Sequence, residues 1–155
     1  MKTSILVIAI VFLSIPVMAQ EENTNNINIV NSLYEFFGKG DVPSVLALMH
    51  KDIVWNEAES NSLADGNPYV GPEAVLNGVF ARIGAMYKSF SLKDIELHEM
   101  SNNKVLATMY YMITAKDGKN YEVQAAHFWT LNQEGKIIKF QQYADTKKLA
   151  ELDRS

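Results

Sequence analysis

KVLATMYYMITAKDGKNYEVQAAHFWTLNQEGKIIKFQQYA, residues 104–144, is the stretch that decides the fold. Its apolar, β-branched and aromatic residues predict three consecutive strands, at about 104–116, 120–132 and 136–144. Asp117-Gly118 and Glu134-Gly135 separate these strands and favour tight hairpin turns. A fourth strand-like run precedes them at about 90–100. These residues are therefore expected to form an antiparallel meander.

Three helices are predicted ahead of the meander. Apolar residues at helical spacing indicate the first, which begins at Ile27 and ends at Gly38-Lys39-Gly40. Asp41 is placed to cap a short second helix, and Pro72 suits the first position of a third. A short strand at 53–56 and a polar loop at 57–70 lie between the second and third helices.

Helices followed by an antiparallel meander indicate an α+β fold. We expect a cone-shaped architecture, in which three N-terminal helices pack on one face of a strongly curved antiparallel sheet and enclose a pocket. This domain is expected to cover residues 27–152, behind a flexible leader at 20–26.

The first residues, MKTSILVIAIVFLSIPVMA at 1–19, have the pattern of a secretory signal peptide. Lys2 leads a short apolar run, and Val17-Met18-Ala19 provides compact residues before the expected cleavage site. The protein is therefore expected to be secreted or periplasmic, with no stable membrane anchor after cleavage. A retained N-terminal anchor is the alternative, which the shortness of the run disfavours.

Composition excludes several classes of protein. The net charge of −4 argues against a nucleic-acid-binding surface. The absence of cysteine excludes disulfides, thiolate metal sites and a thiol nucleophile. The three histidines have no metal-binding spacing, and no glycine-rich phosphate loop is present. We therefore expect no metal and no cofactor.

Strand alternation places His127 and Trp129 on one face of the fourth predicted strand of the chain, the run at 120–132. If Glu134-Gly135 forms a two-residue turn, His127 lies opposite Gln142 and Trp129 lies opposite Phe140. A three-residue turn would instead pair His127 with Gln141 or its neighbours.

Two residues are candidate catalytic groups. His127 in an apolar pocket would be a proton carrier near neutral pH, although a buried and purely structural histidine is the alternative. Asp145, at the mouth of a cone, could act as an acid or base, although it is also placed to cap a helix that begins at Thr146.

Aromatic residues are expected to contact a ligand where they do not simply fill the core. The candidate substrate-binding residues are Trp55, Tyr69, Tyr110, Trp129, Phe140 and Gln142. Glu57 and Glu59 are expected to be solvated loop residues, with Glu57 able to reach the rim of the pocket. An exposed sheet face that carries Met109, Tyr111 and Ile113 would support a homodimer.

Several segments resemble SnoaL-like proteins, of the superfamily that includes nuclear transport factor 2, ketosteroid isomerase and limonene-epoxide hydrolase. The similar segments, in order, are Leu48-Met49-His50 with Asp52-Ile53-Val54-Trp55, then Tyr69-Val70-Gly71-Pro72-Glu73-Ala74-Val75, His127-Phe128-Trp129, Glu134-Gly135-Lys136-Ile137-Ile138 and Tyr143-Ala144-Asp145-Thr146. The resemblance covers about residues 27–150 and implies a cone-shaped fold that hosts isomerases, cyclases, hydrolases and binding modules.

The catalytic residues of those relatives are not matched. Gln142 occupies the position that resembles the aspartate acid/base of the polyketide cyclases, and no aspartate matches the base of the ketosteroid isomerases. The aspartate–arginine–aspartate relay of the epoxide hydrolases is also missing. We therefore expect a protein that binds a small hydrophobic molecule and either catalyses cofactor-free proton transfer or serves as a non-catalytic binding or dimerisation module.

Overall fold

A computed structural model describes residues 19–153, and the side chains of residues 26–153. The expected signal peptide therefore lies outside the described residues, apart from Ala19. The helical elements are α1 (Ala19–Gly38), α2 (Val42–Ala47), a 3₁₀ helix (Ser62–Gly66), α3 (Pro72–Val75), a π-helical turn (Leu76–Phe80), α4 (Ala81–Met86) and α5 (Thr146–Leu152). In the described part of the chain, no helix is long and apolar enough to cross a membrane.

Six strands form one curved, unclosed sheet. They are β1 (Met49–Asn56), β2 (Tyr69–Val70), β3 (Ser89–Met100), β4 (Lys104–Thr114), β5 (Asn120–Leu131) and β6 (Ile137–Ala144), in the order β2-β1-β6-β5-β4-β3. The meander from β3 to β6 is antiparallel, as predicted. The expectation of a wholly antiparallel sheet is wrong, because β1 pairs with β6 in parallel. The sequence pattern of one short strand does not determine which other strand it pairs with, or in which direction.

The first helix is longer than predicted. It begins at Ala19, so residues 20–26, which we expected to form a flexible leader, are helical. Gln20, Glu21 and Glu22 favour this extension, because they are good helix formers and acidic residues stabilise a helix N-terminus. The residues of the third predicted helix lie in α3, the π-helical turn and α4.

The hairpin register brings the predicted partners together. His127 lies opposite Gln142, and Trp129 lies opposite Phe140. Gly135 adopts a positive φ of 73° in the turn, a conformation that glycine adopts without steric cost. The register shifts next to this turn, so that Leu131 pairs with Ile137 rather than with Ile138.

The sheet has a buried inner face and an outer face. On β4 the inner residues are Val105, Ala107, Met109, Tyr111 and Ile113. The expectation that Met109, Tyr111 and Ile113 form an exposed face is therefore wrong. The alternation of a strand defines two faces but not which of them the helices cover. The outer face of β4 carries Leu106, Tyr110 and Met112.

The Tyr69 ring packs against Gly78 in the π-helical turn and holds the loop between β1 and β2 beside it. Its hydroxyl donates to the backbone oxygen of Leu63 at 2.7 Å. Arg82 on α4 donates to both carboxylate oxygens of Asp65, at 2.6 and 3.0 Å, and to the backbone oxygen of Ser62 at 3.1 Å. The loop is thereby held against the helix in one position.

We predict that Gly78→Ala lowers the free energy of unfolding by about 1–3 kcal/mol, because the added methyl group would overlap the Tyr69 ring. Gly84→Ala on α4 is the matched control, since no atom lies within 4 Å of the new methyl group. That control is expected to stabilise the protein by about 0.5–1 kcal/mol through helix propensity. Urea denaturation measures the free energy of unfolding of both variants. Equal changes for the two substitutions would contradict the packing of the Tyr69 ring against Gly78.

Candidate functional site

An apolar cavity of about 50 Å³ lies between the helices and the inner face of the sheet. Most of its wall is aromatic or aliphatic, and Trp55 stacks on Phe140 with their ring centroids 3.7 Å apart. The polar residues in the wall are Tyr34, Glu57, Tyr111, His127 and Gln142. A few polar groups in an apolar wall are the usual composition of a ligand site.

Glu57 is the carboxyl group of this cavity. It directly follows β1 and its side chain is only 2% exposed. The Trp55 indole nitrogen donates to Oε1 at 2.7 Å, and Asn61 Nδ2 donates to Oε2 at 3.0 Å. Burial raises the pKa of Glu57 to about 7, although the hydrogen bonds from Trp55 and Gln142 oppose this shift. A carboxyl group in this state exchanges protons near neutral pH.

The loop places Glu57 through two asparagines. The side-chain amide of Asn67 pairs with the backbone of Glu57, accepting from its N–H at 2.9 Å and donating to its carbonyl oxygen at 2.8 Å. Asn61 caps the 3₁₀ helix by accepting from the backbone nitrogen of Leu63 at 3.0 Å. Because this bond fixes the oxygen of the Asn61 side chain, its NH₂ group faces Glu57 and Gln142.

His127 lies between two tyrosines. Its Nδ1 contacts the Tyr34 hydroxyl at 2.9 Å, and its Nε2 contacts the Tyr111 hydroxyl. Trp129 Nε1 donates to the Tyr34 oxygen at 2.8 Å, and Gln142 Nε2 donates to the Tyr111 oxygen at 3.1 Å. Burial lowers the pKa of His127 to about 3, so the ring is neutral at pH 7. It is a weak base there and positions the tyrosines.

Five of the eight residues predicted for the site line the cavity: Trp55, His127, Trp129, Phe140 and Gln142. The other three lie elsewhere. Tyr110 is on the outer face of β4, opposite Gln124. Tyr69 is bonded within the loop, and Asp145 caps α5. Tyr69 and Tyr110 therefore do not line this cavity.

Asp145 acts as a helix cap rather than as a group of the cavity. Its carboxylate accepts from the backbone nitrogen of Lys148 at 3.2 Å. We predict that Asp145→Ala lowers the free energy of unfolding by about 1 kcal/mol, whereas Asp145→Asn, which keeps the cap, changes it much less. Thermal unfolding of both variants tests this. A loss as large for asparagine as for alanine would show that the charge, and not the cap, matters.

Sequence reasoning missed Tyr34, Asn61 and Tyr111 as site residues, and it placed Glu57 in solvent or at the rim of the pocket rather than buried in its wall. The alternation of β1 contained a signal for Glu57, because Ile53, Trp55 and Glu57 follow one another on the same face. Helical spacing also places Tyr34 beside Val30 and Leu33 on the buried stripe of α1. No local pattern marks Asn61, whose position depends on the path of the loop.

A second depression, of about 250 Å³, adjoins the cavity and shares Tyr34, Phe37, Phe90 and Leu92 with its wall. An apolar group in this depression would contact the residues that border the inner cavity. Within residues 26–153, no cluster of three or more histidine, aspartate or glutamate side chains could hold a metal ion.

The architecture is that of the NTF2-like fold, as solved structures show. An NTF2-like protein of unknown function from Burkholderia pseudomallei is 22% identical with a TM-score of 0.76, over 84% of this chain and 98% of its own. TerC, co-crystallised with polyporic acid, is 23% identical with a TM-score of 0.75, over 84% and 99%. A provisionally assigned polyketide cyclase from Xanthomonas campestris is 18% identical with a TM-score of 0.74, over 85% and 98%.

The family follows from the sequence itself. The model of the SnoaL-like domain matches residues 30–140, and the chain therefore belongs to the SnoaL-like family. A comparison with curated proteins gives no match.

Proposed function

We propose that this SnoaL-like protein binds a small hydrophobic molecule in the cavity and that Glu57 exchanges a proton with it, in cofactor-free chemistry of the isomerase or cyclase type. The observation that carries the proposal is a buried carboxyl group with a pKa of about 7 in an apolar wall. Similarity in fold to a ligand-bound protein and to a provisionally assigned cyclase supports it.

Glu57 takes the role that the sequence suggested for His127. Both ring nitrogens of His127 are already in contact with tyrosine hydroxyls, and its pKa is far below neutrality. Trp55, Asn61 and Gln142 donate to the Glu57 carboxylate, whose two oxygens offer about four lone-pair sites, so that one site remains. Glu57 can therefore accept a proton from a ligand and return it, while Asn61 and Trp55 hold the carboxylate in place.

Native mass spectrometry of the chain from Gln20 to Ser155, purified gently, is the first test. We expect additional mass that disappears on denaturation. The released molecule, incubated in D₂O, is expected to exchange a carbon-bound hydrogen for deuterium about 10²–10⁴ times faster with the wild type than with Glu57→Gln. Equal exchange rates with the two proteins would remove Glu57 from the chemistry.

A non-catalytic binding or dimerisation module is the second candidate, and the size of the cavity favours it. About 50 Å³ is well below the 300–1,000 Å³ that is typical of ligand pockets. A bound molecule that exchanges no hydrogen with either protein would support this candidate.

We also propose that the protein forms a homodimer through the outer face of the sheet. This face carries apolar side chains that do not pack against the core, among them Leu106, Tyr110, Met112 and Phe128. Sedimentation of the wild type is expected to give a dimer and that of Phe128→Lys a monomer. Identical sedimentation of the two would contradict this interface.

Export is likewise a proposal. The pattern at residues 1–19 supports cleavage after Ala19, and the protein would then function in the periplasm or outside the cell. N-terminal sequencing of the protein from a cell that exports it is expected to begin at Gln20. An intact Met1 would contradict export by cleavage.

A further inference from the structure

The hydrogen bonds around His127 have directions that the backbone fixes. Gln142 Oε1 accepts from the backbone nitrogen of Ala58 at 3.2 Å and from Asn61 Nδ2 at 2.9 Å. The other end of the Gln142 amide must therefore be the donor, and it reaches the Tyr111 oxygen. Tyr111 consequently accepts one hydrogen bond and keeps its own hydroxyl hydrogen to donate.

Tyr34 is in the same situation at the other side of the ring. The indole nitrogen of Trp129 can only donate, so the Tyr34 oxygen accepts from it. Tyr34 also keeps its hydroxyl hydrogen. Burial raises the pKa of both tyrosines above the ordinary value, so both hydroxyls are protonated at pH 7.

The two tyrosines and His127 together have more hydrogens than their contacts use. A neutral imidazole donates with one nitrogen and accepts with the other. Two hydroxyl hydrogens and one ring hydrogen are thus available for the two contacts between the ring and the tyrosines. The remaining hydrogen is always on a tyrosine, because the protonated nitrogen cannot accept.

The remaining hydrogen belongs to a residue that lines the cavity. Tyr34 and Tyr111 both line it, and among the described residues neither hydroxyl has an acceptor other than His127. In an apolar cavity, a donor without an acceptor is costly, and an oxygen atom of a bound molecule would relieve that cost.

We infer that the cavity binds its ligand through an uncharged oxygen acceptor, such as a ketone or ether oxygen, which accepts the remaining hydroxyl hydrogen of the Tyr34–His127–Tyr111 group. The inference rests on the proposed function for the existence of a ligand and defines its chemical class. The apolar body of such a molecule would lie in the adjoining depression beside Phe37 and Phe90.

Acetophenone and α-methylstyrene form a matched pair of probes, since they differ in a carbonyl oxygen and a CH₂ group. The two tryptophans of the chain, Trp55 and Trp129, line the cavity, and their fluorescence reports binding. We expect acetophenone to bind about tenfold more tightly, and its carbonyl stretch to shift to lower wavenumber when bound. Equal affinities, or tighter binding of 1-phenylethylamine, would overturn the inference, because an amine would pair with ionised Glu57.

Variants locate the donor. We expect the preference for acetophenone to fall about threefold or more in at least one of the variants Tyr34→Phe and Tyr111→Phe, because one of them removes the hydroxyl group that donates to the ligand oxygen. Tyr110→Phe, on the outer face, is the control and should keep the preference. An unchanged preference in both inner variants would overturn the inference.

A crystal grown with acetophenone decides the matter independently of affinity. The ketone oxygen is expected at hydrogen-bond distance from the Tyr34 or Tyr111 hydroxyl. A bound acetophenone whose oxygen contacts neither hydroxyl would overturn the inference. Hydrogen exchange by the wild type separates this result from the proposed function: if no exchange is found, the proposed chemistry fails, whereas the preference for acetophenone is still expected.

Discussion

Phe140→Ala is expected to lower the free energy of unfolding by about 3–5 kcal/mol, the usual cost of removing a fully buried phenylalanine. Phe140 is completely buried and pairs in register with Trp55 on one side and Trp129 on the other. Its ring also lies 4.9 Å from the centroid of His127. The substitution would remove the common contact of the aromatic cluster, and the surrounding sheet could not close the space.

Urea denaturation measures this loss, with Val70→Ala as the control. Val70 is 57% exposed on the short strand β2, so that its truncation should change stability by less than about 0.5 kcal/mol. A loss below about 1 kcal/mol for Phe140→Ala would mean that the aromatic cluster is not the packed core described here.

Glu57→Gln is expected to change the pH dependence of stability by about 3 kcal/mol. The pKa of Glu57 rises from an ordinary value of 4.5 to about 7 on folding, so the folded state binds more protons between these values. The contribution of Glu57 to the free energy of unfolding is therefore at its full value below pH 4.5, and it is lost as the pH rises through 7. The glutamine variant lacks this loss.

The measurement is the difference in unfolding free energy between Glu57→Gln and the wild type from pH 4 to pH 8. As the pH rises, the variant should become more stable relative to the wild type. A destabilisation caused by the new amide would be the same at every pH and would not change this trend. Glu59→Gln, two residues along the same loop and exposed, is the control substitution and should change the free energy of unfolding by less than about 0.5 kcal/mol. A Glu57→Gln curve parallel to the wild type would show that the carboxyl group does not titrate as described.

The opposite slope is expected from His127, whose pKa falls from 6.5 to about 3 on folding. The contribution of His127 to the free energy of unfolding is at its full value above pH 6.5, and it is lost as the pH falls through 3. In the wild type, the two groups therefore act against each other between pH 4.5 and 6.5. Glu57→Gln removes one of them and should show the steeper rise of stability in that range.

Much of the fold followed from local patterns. Alternation and turn residues predicted the meander, and the facing pairs His127–Gln142 and Trp129–Phe140 are those expected for a two-residue turn, the first of the two turn lengths considered. The parallel pairing of β1 with β6 could not be predicted from local patterns, because the partner of a short strand depends on the packing of the whole chain. The same limit affected Tyr110 and Tyr111, since alternation separates two faces without showing which of them is covered.

The candidate site was harder to predict than the fold. Glu57 begins the polar sequence EAESNSLADGNP at residues 57–68, a composition that favours solvent exposure. It is buried because Asn67 pairs with its backbone and Asn61 bonds its carboxylate, and both contacts form only when the loop folds back. Contacts of this kind do not follow any periodic pattern in the sequence. The position of His127 does, because residues alternate between the two faces of a strand.

The most direct test of the account is the titration of Glu57 itself, followed by NMR of the carboxyl carbon in protein labelled with ¹³C-glutamate. The signal that is missing in Glu57→Gln assigns the residue. We predict a midpoint at about pH 7, because the side chain is buried in an apolar wall. A midpoint between pH 4 and 5 would contradict the account, since burial in the apolar wall would then not raise the pKa of the Glu57 carboxyl group above its ordinary value.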